Sequence, residues 1–354
     1  MNFKPTLLLC SFLMICLSFH QQSFAQIGGA STYQFLNLPS SARTASMGGV
    51  NIAVKDSDIN SAFQNPSLLD SIMDNQFSVS VVSYFAGINF GYVGYGMDEG
   101  KLGTFGIGIH FIRYGDFVGT DSTGALTGSF MAGEYDFNLG WGKKLDSSFS
   151  VGANLKTIYS SLGLYNSFGM AVDLSGTYYS PKKGFTAAIV IKNIGSQITT
   201  YMPGKREPIP FEIQAAVSKR VPHTPFRFSI TGTHLEQFDL SYINPADSIT
   251  VDPVSGDTTI AKISLADKIM RHVVFGGEIL IGKNLSIRLG YNYERRKELE
   301  VSTRPATAGM SYGVGLRISK FQLSYGRAIY SLAGPSNHFT LITNLSDFVS
   351  KKKG

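Results

Sequence analysis

Apolar and polar residues alternate with a period of two in fourteen segments of this chain, and the links between those segments alternate short and long. In Tyr135-Asp-Phe-Asn-Leu-Gly-Trp141 the Tyr, Phe, Leu and Trp side chains share one face, and Asp136, Asn138 and Gly140 share the other. Leu285-Ser-Ile-Arg-Leu-Gly-Tyr-Asn-Tyr293 repeats the pattern, with Ser286, Arg288, Gly290 and Asn292 opposite the apolar set. Successive side chains of a β-strand point to opposite faces. One face of Leu, Ile, Tyr and Trp backed by Ser, Asn, Gly, Asp and Arg fits a wall with lipid outside and a wet, polar lumen inside. The expected fold class is all-β, a transmembrane antiparallel β-barrel of fourteen strands in an outer membrane.

The candidate strands run from 76–85 to 337–345. After even-numbered strands the links are brief and rich in turn formers, as in Asp98-Glu-Gly-Lys101, Pro181-Lys-Lys-Gly184 and Gly282-Lys-Asn284. After odd-numbered strands most are longer: 114–131, 161–167, 195–208, 236–268, 296–307 and 331–336. Short periplasmic turns and longer outer loops are the rule for such barrels. A soluble sandwich or propeller has no reason to sort its loops by parity. The abundance of Gly (38), Phe (25) and Tyr (17) suits a crowded lumen and interfacial aromatic girdles.

The first 25 residues read as a signal peptide. Lys4 gives a positive start, Leu7–Phe19 is apolar, and Ser23-Phe24-Ala25 supplies small residues before a cut at Gln26. The apolar run of about 13 residues is too short for a spanning helix. Cleavage takes 25 of the 354 residues and leaves 329. Both cysteines, Cys10 and Cys16, leave with it, so disulfides and thiol chemistry are excluded from the remainder. Net charge falls only from +6 to +5, because Lys4 is the one charged residue removed. The remaining basic residues are spread out apart from Lys351–Lys353, which does not fit a nucleic-acid binder.

Enzymatic signatures are weak. His110, His223, His234, His272 and His338 show no metal-ligand spacing. Serine–histidine pairings have no specificity, and a wall or interface role is the expectation for each histidine. Ser180-Pro-Lys-Lys183 matches S-x-x-K, but K-T-G is missing and Ser180 sits at a predicted tight turn. No catalytic residue, metal site or cofactor is expected.

Residues 26–75 precede the barrel and do not read as strands. Asp56 or Ser57 is positioned to cap a short helix, Pro66 to end it, and Gly48-Gly49 to form a tight turn. A fourteen-stranded barrel is wide enough to hold such a segment, so 26–75 is expected to be a plug or hatch and 76–354 the barrel with its outer loops. The pattern S-x-R-x-x-x-M-G-G, then an acidic residue, then N-P-x-L, resembles the start of barrels of the FadL-like transporter superfamily. Its residues are Arg43, Met47, Gly48, Gly49, Asn65 and Pro66. The fuller string Gly28–Gly49 resembles the PorV/PorQ family of the type IX secretion system, its PorQ-like branch more closely. The resemblance implies a non-enzymatic outer-membrane component that anchors a PorZ-like surface protein, with PorU- or PorV-like subunits in the same complex. Two other roles remain open: a FadL-like carrier of hydrophobic small molecules and a PorV-like cargo shuttle.

Period two projects Asp136, Asp173, Arg227, Glu278 and Arg288 inward. They are either a selectivity lining or a mutually neutralising set that holds the plug, Arg43 included, against the wall; their mixed sign favours the second. The loop Glu236–Lys268 is the most distinctive outer element, and Val251–Thr259 within it is placed to form a hairpin. Its Asp247, Asp252 and Asp257 are candidates for docking an extracellular partner. The alternative is a solvated acidic loop held away from lipopolysaccharide phosphates.

Overall fold

A computed structural model describes residues 31–241, 249–251, 258–260, 263–299, 308–331 and 334–349. The predicted signal peptide, the first five residues of the predicted plug, and Asp247, Asp252 and Asp257 lie outside the described residues. The strands are β1 (Gln76–Ser83), β2 (Asn89–Asp98), β3 (Thr104–Thr120), β4 (Leu126–Lys144), β5 (Phe149–Leu162), β6 (Tyr165–Ser180), β7 (Phe185–Thr199), β8 (Glu212–Arg220), β9 (Phe226–Gly232), β10 (Ile249–Val251), β11 (Thr258–Ile260), β12 (Val273–Ile281), β13 (Leu285–Asn292), β14 (Met310–Ile318), β15 (Phe321–Ser331) and β16 (Gly334–Asn344).

Fourteen of these close into one antiparallel barrel, in which β1 pairs with both β2 and β16. Closure leaves no strand edge unpaired, which is what an apolar bilayer demands. β10 and β11 form the separate hairpin expected in the long outer loop. Each of the fourteen predicted strands corresponds to one barrel strand. The alternation also holds in three dimensions: Phe137 is 53 % exposed on the outer face, whereas its neighbour Asp136 is fully buried. The apolar outer face suits contact with lipid. Trp141 lies on it near the short-turn end and donates its indole N–H to the Leu102 carbonyl at 2.9 Å, as interfacial aromatics do.

Four boundaries differ from expectation, each for a local reason. Loop 114–131 is mostly strand. Beyond Arg113 and Ala132 the neighbours β2 and β5 stop, yet β3 and β4 continue to pair with each other, after a bulge at Gly115. Phe117, Val118, Phe130 and Met131 are good strand formers, and they extend the hairpin past the rim. Loop 161–167 shrinks to a two-residue turn between β5 and β6. The strand expected over 269–281 starts at Val273 because Leu265–Arg271 is a helix, capped by Ser264, whose hydroxyl accepts from Asp267 N. The strand expected over 285–295 ends at Asn292, whose side chain caps the helix Tyr293–Glu298 by accepting from Arg295 N at 3.0 Å.

The polar inward face that the alternation predicts meets other parts of the chain as well as open space. Residues from Thr32 to Asp74 thread through the lumen as short helical turns joined by extended links. The alternation reports only which side chains point inward, and is silent on what meets them there. In the outer half, Tyr33, Phe35 and Leu36 pack on Val82, Phe90, Ile112, Ile158 and Ala171 of the wall. Further along, Ile52 and Ala53 pack on Ala188, Val190 and Ala216.

Candidate functional site

The segment is held to the wall by a charge network that is buried except at Asp56. Register places Glu278 on β12 directly opposite Arg227 on β9 and Arg288 on β13. From the lumen side the helix Ala42–Ser46 brings Arg43 to the same carboxylate. Arg43 donates from Nε and Nη2 to Glu278 at 3.1 and 3.0 Å. Arg227 donates from Nε to Glu278 at 2.7 Å, and Arg288 Nε donates to it at 3.0 Å. Asp56 of the segment bridges Arg43 at 2.5 Å and Arg227 at 2.6 Å, and Asp58 stands 3.8 Å from Arg43. Three guanidinium groups therefore face three carboxylates. An isolated buried ion is expensive, and this balance is what makes the cluster tolerable. Asp56, expected as a helix cap, is committed to the ion pairs; the helix Ser61–Gln64 starts after Asn60 instead.

A second buried pair lies on β5 and β6. Lys156 and Asp173 meet at 2.8 Å, and Lys156 also donates to Asn193 Oδ1 at 2.8 Å beneath the ring of Phe63. Asp136, projected to belong with these charges, is buried but makes no hydrogen bond through either carboxylate oxygen. His110 stacks on Phe35 and meets Phe63 edge-on, so it is a packing residue of the wall.

Apart from Arg43, several motif residues sit where the segment presses closely on the wall. Gly48 and Gly49 have φ of +90° and +93°, the left-handed turn that glycine adopts without cost. That turn presses on a glycine of the wall: a Cβ on Gly290 would stand 2.1 Å from Gly48 N and 2.4 Å from the Met47 carbonyl carbon. Likewise a Cβ on Gly152 would stand 2.4 Å from the Pro66 carbonyl carbon. Asn65 donates to the Ile52 carbonyl at 2.7 Å and accepts from Ser67 N at 3.0 Å, which starts the single helical turn Pro66–Leu68. Pro66 thus opens a turn as well as following a helix. Only the resemblance points to these positions in the sequence; their partners, the wall glycines, are marked by nothing more than small residues at inward positions of β5 and β13.

At the outer end a cleft of about 540 Å³ opens between the segment, the ends of β7 and β8, the start of the loop after β9, and the helix Tyr293–Glu298. His234 in that loop lies 3.3 Å from Glu236 and 4.0 Å from Glu212. Burial opposes its charge, but the hydrogen bond to Glu236 and the nearby Glu212 and Glu294 outweigh burial and lift its pKa to about 9. Burial pushes Glu294 up to about 7. Elsewhere on the outer rim the β3–β4 hairpin extends past its neighbours, and its Phe117 and Phe130 stack with centroids 5.3 Å apart and stay about two-fifths exposed. Among the described residues no group of three or more His, Cys, Asp or Glu is placed to hold a metal ion.

No family model matches the sequence, and no curated protein matches it. The fold is similar to that of several solved structures. The Pseudomonas putida toluene transporter TodX shares 12 % identity, covering 88 % of this chain and 99 % of its own, with a TM-score of 0.49. The CymD monoaromatic hydrocarbon channel shares 14 %, covering 87 % and 96 %, with a TM-score of 0.46. A Pseudomonas aeruginosa FadL homologue shares 11 %, covering 86 % and 98 %, with a TM-score of 0.49.

Proposed function

We propose that this chain is a non-enzymatic outer-membrane barrel that works at its outer mouth, holding an extracellular partner at the cell surface in the manner implied by the PorV/PorQ-like motif. The observation that carries the reading is the occupied lumen. A segment tied to the wall by a neutral six-charge network, and packed against wall glycines, suits a rigid platform better than a route. The long outer loops, and the β3–β4 hairpin with its exposed Phe117 and Phe130, offer surface for a partner. The test is affinity purification of the tagged protein from native outer membranes, with mass spectrometry of what stays bound. Recovery of a large surface protein or of sortase-type subunits supports the anchor. Deletion of 240–265 is expected to release that partner and spare the barrel.

A second reading, passage of a hydrophobic small molecule, follows the names that TodX and CymD carry. In this chain the apolar cluster around Phe35, at the outer end between segment and wall, is what favours it. Recovery of the barrel alone with a bound lipid or hydrocarbon would move this reading ahead of the anchor.

A further inference from the structure

We propose that the outer cleft binds a cationic group rich in N–H donors, an alkylammonium or a guanidinium. The inference goes beyond the proposed function and stands without it, because it rests only on the side chains that form the cleft.

Four carboxylates line the cleft, Glu212, Glu236, Glu294 and Glu298, against three basic groups, Lys192, His234 and Arg295. Several of these already face each other. Lys192 and Glu212 are register partners on β7 and β8, and His234 lies between Glu212 and Glu236. Glu294 is different: it is 8 % exposed, and its Oε1 has no hydrogen-bond partner. Gln214, one inward position along β8 from Glu212, is 1 % exposed, and its Oε1 also lacks a partner. Asn37 contributes a third such oxygen from the segment side.

Buried polar atoms are almost always hydrogen-bonded, so three such oxygens in one cleft point to a ligand that completes them. All three are acceptors. The missing partner must therefore donate, and an acceptor or anion would add repulsion beside Glu294. A metal ion is a poor fit, because no cluster of metal-ligating side chains of the required size exists among the described residues. An organic cation supplies several N–H donors and the compensating charge together. The same chemistry arrives either on a free amine or on a Lys or Arg side chain of an extracellular protein.

The test uses the mature protein in detergent micelles in phosphate buffer at pH 8, since amine buffers compete. Calorimetric titration compares n-butylammonium, n-butylguanidinium, neutral n-butanol and the blocked peptide acetyl-Gly-Lys-Gly-amide. Saturable binding of the cations at one per chain, at least about tenfold tighter than butanol, is expected from a charge-assisted pairing. Glu294→Gln and Gln214→Leu are each expected to weaken it several-fold while the protein keeps the heat-modifiable gel mobility of a folded barrel. Tighter binding of the peptide than of butylammonium assigns the site to a protein side chain, and the reverse assigns it to a free amine. Cations binding no better than butanol, or both folded variants binding like the parent, would overturn the proposal. Either result leaves the partner-anchoring reading to its own purification test.

Discussion

Replacing Glu278 with Gln should undock the segment from the wall without dismantling the barrel. The Glu278 carboxylate accepts hydrogen bonds from Arg43, Arg227 and Arg288 at 2.7–3.1 Å and is 2 % exposed. Gln keeps the shape but removes one of three negative charges and turns an N–H₂ toward guanidinium donors. Losing one partner of a buried ionic group costs about 3–5 kcal/mol. The cost falls on docking, because Arg43, Asp56 and Asp58 belong to the segment and Arg227, Glu278 and Arg288 to the wall, while every strand ladder is untouched. At 1.4 kcal/mol per factor of ten, the undocked population should rise by roughly two to three and a half powers of ten. Cleavage of residues 31–75 by added protease reads that population when closing outpaces cutting. The wild type should resist, and Glu278→Gln should be cut at least about a hundredfold faster while the barrel still migrates as folded. An increase below tenfold, in a barrel that remains intact, would refute the view that this network clamps the segment. A cycle with Arg43→Met should show strong non-additivity, since both changes act on one cluster.

Gly290→Ala places a methyl 2.1 Å from Gly48 N, a backbone atom that cannot turn aside, and should destabilise docking by about 1–3 kcal/mol in the same assay. Gly176→Ala, where nothing lies within 4 Å, is the control and should leave docking unchanged. The outer corner should lose stability as pH rises. Ionising the buried Glu294 removes stability between its ordinary 4.5 and about 7. Deprotonating His234 removes more from its ordinary 6.5 up to about 9, since the gain from its raised pKa is fully present only below 6.5. Hydrogen exchange of amides 233–241 should follow that course, and His234→Gln should abolish the upper limb. Trp141, the one tryptophan, should be quenched more strongly by lipids brominated near the headgroup than by lipids brominated at the chain ends, because it sits at the short-turn interface.

What the chain states in its order of residues is whatever depends on near neighbours. Side-chain direction has a period of two in any strand, so Phe137 outward and Asp136 inward follow from spacing alone, and the count of fourteen strands follows from the repeats. Turn chemistry at Asp98–Lys101 or Pro181–Gly184 is equally local. The helices after Ser264 and Asn292 were also written in capping residues, but each overlaps the end of an expected strand, because apolar alternation outweighed a single cap. The expectation that residues 26–75 lie in the lumen, with Arg43 set against inward charges, comes from the sequence; tertiary structure decided which side chains meet there. Glu278 meets Arg43 across 235 positions of sequence, and Gly290 is small because Gly48 arrives there from far along the chain. Such partners leave no periodic trace. Inward polar residues look alike whether they face water, a substrate or another stretch of the same chain, and only closure of the barrel around Thr32–Asp74 distinguished them.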